Sequence, residues 1–232
     1  MAAADRYSAL SADSILTTLA RLGDRVRERF PDRGLTGVCA ELQRIAKLHV
    51  KRVADVSKPH LLLRGLVGLV LVAGLFVAGV GVEQKVRQLM NNPDAIGFEG
   101  IEAIANILIL MGAAIWFLLN LEARIKRSQA LSALHELRSI AHVIDMHQLT
   151  KDPYRHELPD TAHSPKRAIH GALLERYLDY CSELLSLTGK LAALFAQSSR
   201  DAEVASAASD IEQLANGLAR KSWEKMMELP QG

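Results

Sequence analysis

The sequence has few cysteines, and it lacks the short motifs that mark familiar catalytic centres. Its only cysteines, Cys39 and Cys181, form no Cys-x-x-Cys pair and match no zinc-type spacing. Cysteines within apolar helical patterns are typical of small packing residues, so we expect no disulfide. The sequence also contains no Gly-rich phosphate loop, nucleophile elbow or paired-carboxylate arrangement. We therefore expect neither an enzyme nor a bound cofactor.

The chain also lacks a strong excess of charge of either sign. Its 232 residues carry 28 Lys and Arg against 26 Asp and Glu, a formal net charge of +2. This balance is too small to predict a nucleic-acid partner, because such partners select for many phosphate contacts. The basic residues lie instead beside apolar runs, where they are typical of signals that set membrane topology.

Two long apolar runs are the most informative feature that is present. Residues 61–82 contain a single charge, Arg64, and residues 104–119 contain none. Each run is about long enough to cross a hydrocarbon core of about 30 Å. A buried helix of a soluble protein usually has a polar stripe, and neither run has one. The sequence therefore predicts an integral membrane protein with two transmembrane helices.

The basic residues around these runs predict the orientation of the hairpin. Five precede the first run and three follow the second, whereas the connecting segment contains only Lys85 and Arg87. Because cytoplasmic flanks are enriched in Lys and Arg, both termini are predicted to be cytoplasmic. We expect a multi-pass protein of the inner (plasma) membrane. The basic flanking residues are Arg44, Lys47, Lys51, Arg52, Lys58, Arg124, Lys126 and Arg127.

The remaining segments predict an all-α fold in three parts. Residues 1–59 form a cytosolic helical hairpin with a turn at 31–34, residues 60–122 form the membrane hairpin with a short external loop at 83–100, and residues 123–232 form a C-terminal cytosolic helical domain. Three and four-residue spacing marks one apolar stripe on each N-terminal helix. The stripes are Ile15, Leu19, Leu22 and Val26, then Val38, Leu42, Ile45, His49 and Val53.

The second span is predicted to continue into one long cytosolic helix. No Pro or Gly occurs between Gly112 and Pro153, so a single helix from about residue 101 to about residue 148 is expected. Ser164 and Pro165 are then typical of the cap and first turn of another helix.

The next two helices each carry a regular stripe. Leu174, Tyr177, Cys181, Leu184, Thr188, Leu191 and Phe195 follow a heptad pattern, and Val204, Ala208, Ile211, Ala215 and Leu218 form a small-residue stripe. A heptad pattern is typical of a coiled coil or of a helical bundle. It does not tell whether the partner helix belongs to the same chain. Self-association as a homo-oligomer is therefore one expectation, and packing within the chain is the other.

Histidines and carboxylates concentrate in residues 135–147. On a helical wheel His135, Ser139 and His142 lie opposite the apolar Leu137, Ile140, Ala141 and Ile144, which predicts a polar contact face. The candidates for metal ligands are His142, Asp145 and His147, with His156 or His163 as a third ligand from the loop. Their spacing matches no recognised metal motif, so we predict no metal.

Within the first apolar run, Gly74 and Ala78 form a small-xxx-small pair. Such pairs let two helix backbones approach closely in lipid, so the pair is predicted to contact the second span or a neighbouring subunit.

Taken with the predicted topology, these features favour a membrane-anchored scaffold or recruitment protein at the cytoplasmic face. Its expected partners are the lipid bilayer, other copies of itself and an unidentified cytosolic protein.

Two alternative functions remain open. One is a channel or pore-forming effector, although so little intramembrane polarity disfavours an aqueous pore. The other is a metal-dependent membrane protein that uses residues 135–147.

Overall fold

The fold is known from a computed structural model that describes residues 9–57, 61–91, 98–151, 162–163 and 169–228. As predicted, the fold of these residues is all-helical and includes no strand. The helices are α1 (Ala12–Arg29), α2 (Gly34–Ser57), α3 (Leu61–Asn91), α4 (Phe98–Leu149), α5 (Ala172–Ser198) and α6 (Ala202–Met227). Helix α4 is the continuous helix that the absence of Pro and Gly predicts.

The chain divides into two compact units. We call the unit of Met1–Ser57 and Arg127–Gly232 the bundle, and the unit of Lys58–Lys126 the apolar unit. Helix α4 contributes to both units, since Lys126 and Arg127 lie within it. Helices α1, α2, α5 and α6 share one hydrophobic core with the part of α4 that belongs to the bundle.

Helix α5 lies at the centre of the bundle. More than half of its residues are buried, and it packs most extensively against α6 and also against α1 and α2. All the heptad positions are buried, but so are Leu178, Leu185 and Leu194 outside the heptad stripe. A coiled-coil seam would bury only one stripe. Packing within the chain therefore accounts for the repeat, and nothing in the described residues supports a coiled coil between copies.

Helices α1 and α2 bury the stripes that their spacing predicts. Ser11 caps α1, because its Oγ accepts a hydrogen bond from the Ser14 N–H at 3.3 Å. The predicted stripe residues of both helices are buried, except that Val53 is only partly covered. Arg25 fastens α1 to α5 through two hydrogen bonds of 3.0 and 2.5 Å to the Glu183 carboxylate.

Helix α6 approaches α5 closely because both helices place small residues at the contact. A Cβ on Gly189 of α5 would lie 3.5 Å from the Ala215 Cβ of α6. The five predicted stripe residues of α6 are buried. Asp201 caps α6 by accepting from the backbone N–H groups of Glu203 and Val204, and it also accepts from Arg127 Nε of α4 at 2.6 Å.

In the apolar unit, large side chains face outward. Leu69, Phe76, Leu110 and Trp116 are each 65–72% exposed. Among the described residues, one helical stretch, Leu108–Leu149, is long and apolar enough to cross a membrane, and Gly65–Gly81 is a shorter apolar helix. By length and composition the structure thus supports one spanning helix, and the two-span arrangement stays a prediction.

The predicted start of the helix after the loop is wrong. Residues 164–168 lie outside the described part of the chain, but residues 169–171 are not helical and α5 begins only at Ala172. Gly171 has φ +51°, in the left-handed region that glycine enters without a Cβ penalty. The turn at Gly171 therefore starts the helix seven residues later than the Ser164–Pro165 signal indicated.

The predicted loop at 83–100 is also too long. Helix α3 continues to Asn91, and α4 already begins at Phe98, so only residues 92–97 lie between the described helices. Arg87 donates to Glu83 at 2.6 Å, four residues apart on α3. Pairs with this spacing stabilise a helix. The residues from Glu83 to Asn91, which were predicted to lie in the loop, thus belong to α3.

Two glycines of the bundle allow a test of the α1–α2 contact. A Cβ on Gly23 would clash with Gln43 Nε2, whose amide donates to the Leu19 carbonyl at 3.1 Å, whereas a Cβ on Gly37 would meet nothing within 4 Å. We expect Gly23→Leu to lower the free energy of unfolding by about 1–3 kcal/mol through overpacking. Gly37→Leu should raise it by about 0.5–1 kcal/mol, because leucine is the better helix former. Urea unfolding in detergent measures both, and shifts of the same sign would contradict this contact.

Candidate functional site

The predicted polar face of α4 is exposed. His135, Ser139 and His142 all face solvent, and Ser139 Oγ donates to the His135 carbonyl at 3.1 Å. The opposite stripe of Leu137, Ile140, Ala141 and Ile144 is buried, as the helical wheel predicts. The role of this face in partner contact stays a prediction.

The three candidate metal ligands are not brought together. Asp145 accepts from Gln148 Nε2 at 2.8 Å, and His147 is half-buried against the backbone of Gly34. Burial and the nearby Lys151 charge lower the pKa of His147. His156 lies outside the described residues. Across the described ranges, no three His, Cys, Asp or Glu side chains are placed to hold an ion.

The α2–α4 groove lies beside the exposed histidines. It has a volume of about 640 Å³ and combines carboxylate, guanidinium, imidazole and hydroxyl groups with an apolar floor. Its charged groups are already paired in part, because Arg44 donates to Glu41 at 2.9 and 2.6 Å. The groove is lined by Glu41, Arg44, Ile45, Ser132, His135, Glu136, Ser139, Ile140 and Val143.

A second groove, the α4–α6 groove, lies between α4 and α6. It is smaller, about 370 Å³, and His135 also lines it together with Arg138, Glu203 and Asp210. His135 therefore borders both grooves. Such a mixed, polar surface can hydrogen-bond to a protein partner. Because each groove combines carboxylates with an arginine, neither groove presents charge of one sign only, as a site that selects a phosphate or a cation would.

A partly buried polar cluster is formed by His49, Arg52 and Glu136. His49 Nε2 lies 3.0 Å from Glu136 Oε2, and Arg52 Nη1 donates to Glu136 Oε1 at 2.9 Å. His49 is 1% exposed, and its ring meets the Phe195 ring edge-on with centroids 5.7 Å apart. The cluster joins α2 to α4 and places its histidine against α5.

The pKa values of His49 and Glu136 are both lowered, but burial is a cause of the lowering only for His49. Burial lowers the pKa of His49 more than the bond to Glu136 raises it. Burial also acts to raise the pKa of Glu136, but the hydrogen bonds from Arg52 and His49 outweigh it, so the pKa of Glu136 is lowered. The neutral imidazole and the ionised carboxylate are therefore the favoured pair.

Sequence reasoning placed His49 in the α2 stripe without assigning it a role. The available signal was a histidine at a position where the spacing demands an apolar side chain. Such a residue must find a partner across the helix interface, because an unpaired buried polar group is costly. The sequence alone does not show that Glu136, far along the chain, supplies that partner.

A second buried polar cluster closes the C-terminal end of α4, and sequence reasoning missed it. Gln148 is 1% exposed; its side-chain oxygen accepts from Ser222 Oγ, and Lys225 Nζ donates to its backbone carbonyl at 2.8 Å. A basic group at the last carbonyls of a helix is favourable. This cluster joins α4 to α6 and is structural.

The cysteines carry no chemistry in this arrangement. Both are free and buried, and burial raises the pKa of Cys39 to about 11 and that of Cys181 to about 12. Because the thiolate is the reactive form, thiols of this kind are inert at neutral pH. The prediction that they are packing residues is confirmed by their burial.

Gly74 and Ala78 of α3 are both half-buried. A Cβ on Gly74 would lie 2.8 Å from Met111 Sδ of α4, so the glycine accommodates that side chain. By contrast, a Cβ on Gly65, Gly68 or Gly79 would meet nothing within 4 Å. Whether this contact forms in a membrane stays a prediction.

Comparison with models of protein families, with curated proteins and with solved structures finds no match to this chain. Its function is therefore inferred from its own residues.

Proposed function

We propose that the protein is a membrane-anchored helical scaffold. In this proposal α3 and the first part of α4 insert into the inner (plasma) membrane as a two-span hairpin with both termini in the cytoplasm. The bundle then recruits or organises a protein partner at the cytoplasmic face, and the protein self-associates.

The outward-facing apolar side chains of the apolar unit carry this proposal. Leu69, Phe76, Leu110 and Trp116 are 65–72% exposed, and none of the apolar window in Leu108–Leu149 is buried. Moving one such side chain out of water is worth about 1.5–3 kcal/mol. A surface with so many of them is typical of contact with lipid or with other protein.

The character of the bundle supports a binding role rather than catalysis. Its thiols are buried, and its grooves combine paired charges with hydroxyl and imidazole groups around His135. A surface of this kind is suited to hydrogen bonding with a protein partner, whose interfaces mix polar rim and apolar core. The exposed His135, Ser139 and His142 are the residues we assign to that contact.

Membrane insertion is tested by placing a charge on an outward-facing position. Leu110→Arg puts an arginine into the proposed hydrocarbon layer, which costs about 2.5–3.5 kcal/mol at the centre of a span. We expect the carbonate-resistant membrane fraction of the full chain to fall clearly. Met146→Arg is the matched control, because Met146 is also an exposed apolar residue of α4 but lies in the bundle. Equal membrane retention of both variants and the parent would contradict insertion of α4.

Topology and activity need separate tests. Alkaline-phosphatase fusions should be inactive at the C-terminus and active between residues 92 and 97, and the reverse pattern would invert the orientation. Ion conductance by the reconstituted protein would contradict the scaffold proposal and favour a pore-forming function. Stoichiometric zinc or iron that is lost in His142→Gln would favour a metalloprotein instead.

A further inference from the structure

His49 is a buried titratable group at the junction of three helices. It belongs to α2, hydrogen-bonds to Glu136 of α4 and packs its ring against Phe195 of α5. Its Nδ1 is buried and has no hydrogen-bond partner among the described residues. A ring nitrogen left in this state requires an explanation, because buried polar atoms are nearly always paired.

The partner on Nε2 determines the tautomer of the neutral ring. An ionised carboxylate only accepts hydrogen bonds, so Nε2 carries the proton and donates to Glu136. Nδ1 is then a bare lone pair, which costs less to bury than an N–H without an acceptor. Adding a proton to Nδ1 would bury both a new donor and a new charge.

We propose that His49 is a pH-sensitive latch, which holds α2 on α4 and α5 while its imidazole is neutral and releases α2 when the imidazole is protonated. The latch is a property of the bundle and does not depend on the scaffold function. Its geometric basis is the contact of one imidazole with both α4 and α5.

The charges that face His49 do not cancel this effect. From α4, Glu136 favours the imidazolium, but its other oxygen is already held by Arg52 at 2.9 Å. From α2, Arg52 and Arg44 both disfavour a further positive charge, and from α5 the neighbour is the uncharged Phe195 ring. The lowered pKa of His49 agrees with this balance.

The direction of the pH effect follows from linkage. Since the pKa in the folded state lies below the value of about 6.5 in an unfolded chain, the unfolded state binds more protons on acidification. The stabilisation of α2 is therefore complete above about pH 6.5 and is lost as the pH falls towards the folded-state pKa. His147, whose pKa is also lowered, contributes with the same sign, so variants must separate the two.

Hydrogen exchange of the full chain in detergent micelles tests the latch. Exchange in α2 is compared with exchange in α6, each expressed as protection relative to the unfolded chain at the same pH. Between about pH 7.5 and about pH 5, where an imidazole titrates, protection of α2 should fall severalfold. Protection of α6 should change less. Constant α2 protection over this range would overturn the proposal.

Three variants assign the effect to His49. His49→Gln retains a side-chain N–H for Glu136 but does not titrate, so most of the pH dependence of α2 protection should disappear and only the contribution of His147 should remain. His142→Gln and His147→Gln are the matched controls and should retain the decrease. A purely structural His49 would instead lower protection equally at every pH in His49→Gln, and that result would overturn the latch. So would loss of the decrease in His147→Gln alone.

A further variant keeps the test decisive if His49→Gln does not fold. Glu136→Gln removes the anion that favours the imidazolium, so the midpoint of the decrease in α2 protection should shift to lower pH. An unchanged midpoint, or a shift to higher pH, would contradict the proposed role of Glu136.

Discussion

Leu184→Asp is expected to unfold the bundle. Leu184 is fully buried on α5, the helix that packs against α1, α2 and α6. An isolated carboxylate there must either be ionised without a partner or take up a proton, and both cost several kcal/mol. Domains of this size are stable by only about 5–15 kcal/mol. Thermal melting of the full chain in detergent, followed by circular dichroism, should show loss or a large lowering of the cooperative transition.

Leu173→Asp is the matched control for this prediction. It is the same substitution on the same helix, but Leu173 is 49% exposed and lies in the first turn of α5. An acidic residue near a helix N-terminus is favourable by a few tenths of a kcal/mol to about 1 kcal/mol. We expect little change or a slight gain in stability. Similar melting of the two variants would show that α5 is not the central helix.

Phe195→Ala is expected to have the next largest effect. Among the described residues, Phe195 is the largest fully buried side chain, and its ring packs edge-on against His49. Its truncation removes apolar contacts and leaves a cavity, which costs about 3–5 kcal/mol in a core. Urea unfolding measures this loss, and Trp223→Ala, at a 56% exposed aromatic residue, is the control with little expected effect. A loss below about 1 kcal/mol would mean that the site collapses around the truncation.

The same variant bears on the latch. The cavity next to the His49 ring would admit water, and better solvation of the imidazolium raises a pKa that burial has lowered. We therefore expect the loss of α2 protection in Phe195→Ala to begin at higher pH than in the parent chain. An unchanged pH dependence would separate the stability role of Phe195 from the titration of His49.

Several features of the fold could be predicted because they depend on local periodicity. Apart from the partly covered Val53, the stripes of α1, α2, α4 and α6 are buried as expected, since a helix of 3.6 residues per turn brings each stripe to one face. The unbroken helix α4 follows from the absence of Pro and Gly. The start of α5 could not be predicted in this way, because Ser164 and Pro165 are typical of a helix start but α5 begins only at Ala172.

The candidate site shows the same division. The exposure of His135, Ser139 and His142 was predictable, because it is the complement of an apolar stripe on one helix. The His49–Glu136 pair was not, since 87 positions separate the two residues in the chain. A histidine within an apolar stripe indicates that a partner is needed, but periodicity carries no information about which helix supplies it.

The sequence by itself determined the helical class, the positions of the apolar runs and the buried face of most helices, because each depends on residues within a few turns of one another. Only the tertiary structure decided that the N-terminal helices share a core with α5 and α6, and that α5 is buried outside its heptad stripe as well. It also placed the partly desolvated carboxylate of Glu136 against His49. These features depend on which helices meet, and that choice is made by the combined packing of many side chains rather than by any local pattern.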